Sequence, residues 1–182
     1  MKALGNRKCW PLIAVAVLAM PGAASAATQG TAGSTSTGSI SISATVPGRV
    51  QLSGLSDVAF GTVDPTVAAA QAEDVCVWSN TSGRGYTVTA TGSGTSNAFT
   101  LSDGTNTIPY SVEWAGSSGQ SSGTALASGT GLGGLSSTAT NPTCSAGPTA
   151  SASLIVRMSA ASLQAAVASS YLGTLTLVVA PQ

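Results

Sequence analysis

A short run, Ser39-Ile40-Ser41-Ile42-Ser43-Ala44-Thr45-Val46, alternates apolar and polar residues strictly and stops at Pro47. A period of two is the signature of a β-strand with one wet and one dry face. It puts Ile40, Ile42, Ala44 and Val46 on the dry face. The stretch before it, residues 27–38 (ATQGTAGSTSTG), is small, polar and glycine-rich, the composition of a flexible arm. A well-patterned strand at the end of an arm can enter its own sheet or a neighbour's, and that choice separates a monomer from a fibre subunit.

Residues 1–26 read as an export signal that does not join the fold. Lys2, Arg7 and Lys8 form a positive start, Leu12–Met20 a short apolar run, and Ala24-Ser25-Ala26 a small-residue cleavage site. The run is short for a membrane span, and no later stretch supplies one. Cleavage after Ala26 leaves 156 of the 182 residues, enough chain for one domain with a core. The expected organisation is signal 1–26, flexible arm 27–38, alternating strand 39–47 and β-sandwich domain 48–182.

The balanced charge of the full chain does not survive that cleavage. Arg49, Arg84 and Arg157 remain against Asp57, Asp64, Glu73, Asp74, Asp103 and Glu113, a net charge of −3, with neither lysine nor histidine. Tracking phosphates requires clustered Lys and Arg, so nucleic acid is not an expected partner, and an anionic membrane surface is disfavoured in the same way. Catalysis also lacks its usual parts: there is no histidine base and no lysine for a Ser–Lys pair or a Schiff base. The acid pairs Asp57/Asp64 and Glu73/Asp74 are expected in or beside turns, as solvated groups. The chain reads as a non-enzyme without cofactor or metal.

Cys9 leaves with the signal, so Cys76 and Cys144 remain. An even pair in an exported chain is most simply a disulfide, closing a loop of about 70 residues worth roughly 4 kcal/mol. A metal site is the rival reading, but no histidine or third cysteine completes a ligand set.

Short alternations separated by turn-forming clusters recur along the rest of the chain and predict an all-β sandwich. Candidate strands are Arg49–Leu55, Val58–Val63, Asp74–Ser79, Tyr86–Ala90, Phe99–Ser102, Thr107–Trp114, Ala152–Met158 and Tyr171–Val179. Asn80–Gly85, Gly92–Thr95 and Asp103–Asn106 read as turns, the last with an Asp-Gly hairpin signal. Ser117–Asn141 reads as a long loop or a weak strand pair, and Ala160–Ser169 as one or two helical turns. Trp78, Trp114 and Tyr86 are expected in packing. Asn80-Thr81-Ser82 matches the glycosylation sequon, which means little if the source is bacterial.

Several segments together resemble the spore coat protein U-type pilins of the archaic and alternate chaperone–usher fimbriae. Val58-Ala59-Phe60-Gly61-Thr62-Val63-Asp64-Pro65 is similar to their FGxxxP segment. Val75-Cys76-Val77-Trp78-Ser79 followed by Gly85-Tyr86-Thr87-Val88 resembles their cysteine-bearing strand and the next one. Asn106–Val112 resembles a central strand and Tyr171–Leu177 the final strand. Ser39 to Leu55 is laid out like the alternate-class colonisation-factor pilins, in which an alternating donor segment runs through a proline into the first core strand. In the spore-coat-U pattern the cysteine usually pairs near the domain's start; here its available partner is Cys144.

The resemblance implies an immunoglobulin-like sandwich that lacks one strand and is completed by a donor strand from another subunit. It implies head-to-tail polymerisation with other copies of the chain, a periplasmic chaperone that fills the groove first, an outer-membrane usher, and display at the cell surface after transit through the periplasm. Ile40, Ile42, Ala44 and Val46 would be the donor plugs, and Tyr171, Leu175, Leu177 and Val179 the strand that contacts the chaperone. The alternatives are a self-complemented secreted coat or matrix protein and a minor adhesive subunit.

Overall fold

Alternation along each strand sorts its side chains into two layers. In the computed structural model, which describes residues 26–182, antiparallel strands form a five-stranded sheet, a three-stranded sheet and a two-stranded ribbon. The larger sheet has the order β1 (Val50–Ser53), β2 (Ala69–Ser79), β9 (Ala152–Met158), β6 (Ser111–Ala115), β7 (Thr124–Leu126). The smaller has the order β10 (Leu175–Pro181), β3 (Gly85–Gly92), β8 (Gly131–Ser136). The ribbon pairs β4 (Thr100–Ser102) with β5 (Thr107–Pro109). The fold is an all-β sandwich. Val46–Gln182 forms one compact unit, and the residues before it belong to another. The signal assigned to residues 1–26 lies outside the described residues, Ala26 apart.

The core lies between the sheets. Val75 and Val77 of β2, Val112 and Trp114 of β6, and Leu154, Val156 and Met158 of β9 meet Tyr86, Val88 and Ala90 of β3. Each large apolar side chain buried there contributes about 1.5–3 kcal/mol. The two largest buried aromatics satisfy each other's polar atoms: the Trp114 indole N–H donates to the Tyr86 hydroxyl at 3.1 Å. Burial pushes the Tyr86 phenol above its ordinary pKa, and that hydrogen bond partly offsets the rise.

The intervening residues of β2 face the other way. Cys76 packs with Cys144, Ala139 and the half-buried Trp78 in a second apolar cluster, and Cys76–Cys144 is a disulfide spanning 68 residues. The bridge pins the segment carrying Ala139 and Cys144 against β2. Among the described residues no strand pairs with this end of β2 on its β9 side, and a serine substitutes for one. Buried Ser151 accepts from Val77 N–H at 2.8 Å and donates to Val77 C=O at 2.8 Å, filling the place of a ladder partner.

Several elements differ from the sequence reading. β2 begins five residues early, at Ala69, because pairing from Ala69↔Met158 to Val75↔Ala152 overrides the weak strand preference of Ala, Gln and Glu. Glu73 and Asp74 therefore lie in a strand, not beside a turn. Asp74 accepts from Ser153 Oγ at 2.6 Å and Gly119 N–H at 2.7 Å. The predicted strand Thr107–Trp114 is two strands. Tyr110 N–H turns to Phe99 C=O at 2.9 Å, so β5 stays with β4 while β6 joins β9. Within 117–141, β7 and β8 are not a pair; they belong to different sheets. The helical segment is a single α1 (Ala160–Gln164), capped by Ser159 and anchored by buried Leu163.

Candidate functional site

The final strand is an open edge. β10 pairs with β3 from Leu175↔Gly92 to Pro181↔Tyr86, and among the described residues its other edge has no strand partner. Leu175, Leu177 and Val179 turn toward the core but stay half-buried, whereas Ala90 and Val88, opposite Leu177 and Val179, are fully buried. Crossing one rung of the ladder thus takes the core from sealed to open. Unpaired N–H and C=O groups above half-covered apolar side chains form a template for an added strand.

A second unpaired stretch faces the same core. The predicted strand Val58–Val63 is not a strand: among the described residues no backbone hydrogen bond engages residues 54–63. Gly54, at φ 74°, takes the chain off β2 directly after β1, a conformation that suits glycine. Val58, Phe60 and Val63 nonetheless pack half-buried against the core. The alternation Val58–Phe60 reported a buried face correctly and a ladder partner incorrectly. The turn at Asp64 holds: Thr66 donates to the Asp64 carboxylate through N–H at 2.8 Å and Oγ at 2.7 Å, lowering its pKa.

Tyr171 does not belong to the edge strand. β10 starts at Leu175, and Tyr171 instead donates its hydroxyl to Val167 C=O at 2.7 Å. Leu172 makes a reciprocal bridge with Ser102 at 2.8 and 2.9 Å. That bridge diverts the chain before Gly173, so the alternation from Tyr171 onward spans a break.

The N-terminal segment carries its pattern without a ladder. Ser39–Val46 was expected as a strand, yet residues 40–49 are in none. Ile40 is 73%, Ile42 87% and Val46 81% exposed, and Ala44 is exposed too. A strand is defined by its partner's hydrogen bonds, which a period of two cannot supply. Upstream, Thr28 and Ser39 exchange backbone hydrogen bonds at 2.8 and 2.9 Å. They close residues 28–39 into a loop where an open arm was expected.

Where the sandwich unit begins, Asn80 grips the chain three times. Its backbone N–H donates to Arg49 C=O at 3.1 Å. Its side-chain oxygen accepts from Arg49 N–H at 2.5 Å, and its amide nitrogen donates to Pro47 C=O at 3.0 Å. Gly48, between them, lies against Pro181 at the end of β10: a Cβ there would sit 3.7 Å from the proline ring. The sequence pointed to Asn80 as the start of a turn and as part of a sequon, and not to this grip. An Asn directly after a strand that pairs near a proline is the signal it did offer.

Glu113 holds Arg157 at 3.0 Å and accepts from Gly123 N–H at 2.9 Å. The Asp103 carboxylate accepts from Asn106 and Thr105 N–H, which holds its pKa down at about 2. A shallow cavity of about 320 Å³ is lined by Ser93, Thr95, Thr100, Ser102 and Thr107 without a titratable group. Among the described residues no cluster of three or more His, Cys, Asp or Glu side chains is placed for a metal, and no helix is long and apolar enough to cross a membrane.

No protein-family model matches the chain, and no curated protein does. Among solved structures, it is similar to a chain in "Chaperone-tip adhesin complex is vital for synergistic activation of CFA/I fimbriae biogenesis", with 13% identity and a TM-score of 0.48. The match covers 74% of this chain and 41% of that one, so this chain spans about two-fifths of its neighbour's length.

Proposed function

We propose that this chain is the structural subunit of a surface fimbria, exported to the periplasm, stapled by its disulfide and polymerised by strand donation. The Ile40/Ile42/Ala44/Val46 face of one copy enters the open edge of another, beside Leu175, Leu177 and Val179. Main-chain hydrogen bonds to β10 hold the strand, and its alternate side chains complete the half-covered core. A periplasmic chaperone occupies the edge before assembly, and an outer-membrane usher exchanges it for the next subunit.

The observation that carries this reading is the unpaired β10 edge above half-buried leucines, in a chain that also presents an exposed alternating segment. Each feature alone is a liability in a secreted protein, because open edges aggregate. Together they are complementary halves of one interface. Such an interface is heterologous and does not close, so repetition gives a filament.

Envelope-associated protein on a denaturing gel, with and without boiling, tests the reading. A ladder that collapses to one band on boiling is expected of a non-covalent polymer. A single monomer band in both lanes would overturn polymerisation and favour a self-complemented coat protein.

A further inference from the structure

Strand donation leaves a choice open, since an arm joined to its own body is at high local concentration and can fill its own groove. We propose that Asn80 is the positioning residue that directs the donor segment to a second copy; this inference rests on the strand-donation reading above.

The residues between the donor segment and β1 decide where the chain can reverse. Gly48 lies at the Pro181 end of β10, and β1 leads from there into contact with β10. A donor segment returning along its own β10 edge must therefore turn back within Val46–Arg49. A turn placed earlier would consume the donor residues themselves. By residue type these four positions suit a tight turn, with proline second and glycine third, so something else must hold the chain open. Val46 precedes a proline, which restricts it to extended conformations. Pro47 has its φ set by its ring. Both settings fit a turn that Gly48 would complete; Asn80 opposes it by holding Pro47 C=O and Arg49 N–H, the donor that would close the turn. The side-chain amide acts as an extra ladder residue, extending the β1–β2 pairing past Val50↔Ser79 and carrying the chain onward instead of back.

The same geometry explains what Asn80 does in place of carrying a glycan. Its amide nitrogen, the atom a sequon would offer, is bonded to Pro47 C=O.

The test uses the full chain, exported and recovered from the envelope. Ile42→Cys is combined in turn with Leu175→Cys, Leu177→Cys and Val179→Cys, each with Asn80 intact and with Asn80→Ala. Boiled, non-reducing gels with mass-spectrometric mapping then separate cross-links between chains from those within one. With Asn80 intact, interchain links are expected. With Asn80→Ala, the intrachain-to-interchain ratio should rise about tenfold, the shift expected from losing two exposed hydrogen bonds. Asn80→Asp keeps the acceptor for Arg49 and loses the donor to Pro47, so it should lie between. Asn80→Leu, similar in size but without a hydrogen-bonding group, should move the ratio in the same direction, which covers a failure of Asn80→Ala to fold. Interchain links at an unchanged ratio in all backgrounds would overturn the role of Asn80 and leave strand donation standing. Intrachain links with Asn80 intact would overturn it as well. The absence of any cross-link to β10 would overturn strand donation itself.

Discussion

Ile42 and Ser41 are neighbours in the chain, but alternation assigns them to opposite faces, and this makes them a matched pair for testing the interface. Ile42 is 87% exposed in the subunit, so nearly all of its side chain is available to be buried on docking, worth about 2 kcal/mol. Ile42→Asp loses that and adds a second term. A carboxylate entering an apolar pocket gives up its charge instead of being buried ionised, and neutralising an aspartate of ordinary pKa at pH 7 costs about 4 kcal/mol. The sum of about 6 kcal/mol weakens each junction by roughly four orders of magnitude. Ser41→Asp places the same charge on the polar face, where it stays hydrated, and should change the junction by less than about 0.5 kcal/mol. Both positions are exposed in the subunit, so the thermal midpoint of the sandwich should not move in either variant. The assay is the ladder of unboiled envelope protein: absent for Ile42→Asp, intact for Ser41→Asp. An intact ladder in Ile42→Asp, or equal loss in both, would refute the face assignment.

The remaining expectations concern the scaffold that keeps the edge open. Ser151→Ala removes both hydrogen bonds to Val77 and orphans a buried N–H, so it should cost about 1–3 kcal/mol in urea unfolding, while exposed Ser170→Ala changes little; equal midpoints would mean that Ser151 does not stand in for a strand. Replacing Cys76 and Cys144 together by serine opens a loop spanning 68 residues and should cost about 4 kcal/mol; a loss below about 1 kcal/mol would show that the outer cluster holds without the bridge. Asp103 has its folded pKa depressed to about 2 from 3.8. Its support of the β4–β5 turn is therefore complete above 3.8 and lost as pH falls through about 2. The amide shifts of Thr105 and Asn106 should titrate near the lower value, and a midpoint near 3.8 would contradict the capping geometry.

Much of the sandwich was legible from local pattern. β9, Ala152–Met158, was read to the residue because a Leu-Ile-Val run covered on both faces has no other stable use. The β4–β5 hairpin was legible because Asp103-Gly104 meets its turn's dihedral demand locally, with Gly104 at φ 97°. Where pattern failed, the missing quantity was a partner. Val58–Val63 and Ser39–Val46 alternate as well as any true strand, but among the described residues neither forms a ladder, Ser39 making only a single bridge to Thr28, and alternation reports only which side is dry. The early start of β2 failed in the opposite sense: Ala69–Glu73 has little strand character of its own and is held by β9.

The candidate site divides in the same way. The amino-acid sequence by itself determined the apolar face of Ile40, Ile42, Ala44 and Val46 and the pairing of Cys76 with Cys144. Each follows from period or from elimination within a short list. Only the tertiary structure decided that β10 keeps a free edge, that Tyr171 lies outside it, that Ser151 replaces a strand, and that Asn80 grips Pro47 and Arg49. These depend on which backbone groups meet across about 30 to 90 residues of chain. Hydrogen-bond partnership at that separation is set by how the sheets stack, and residue order does not encode it locally.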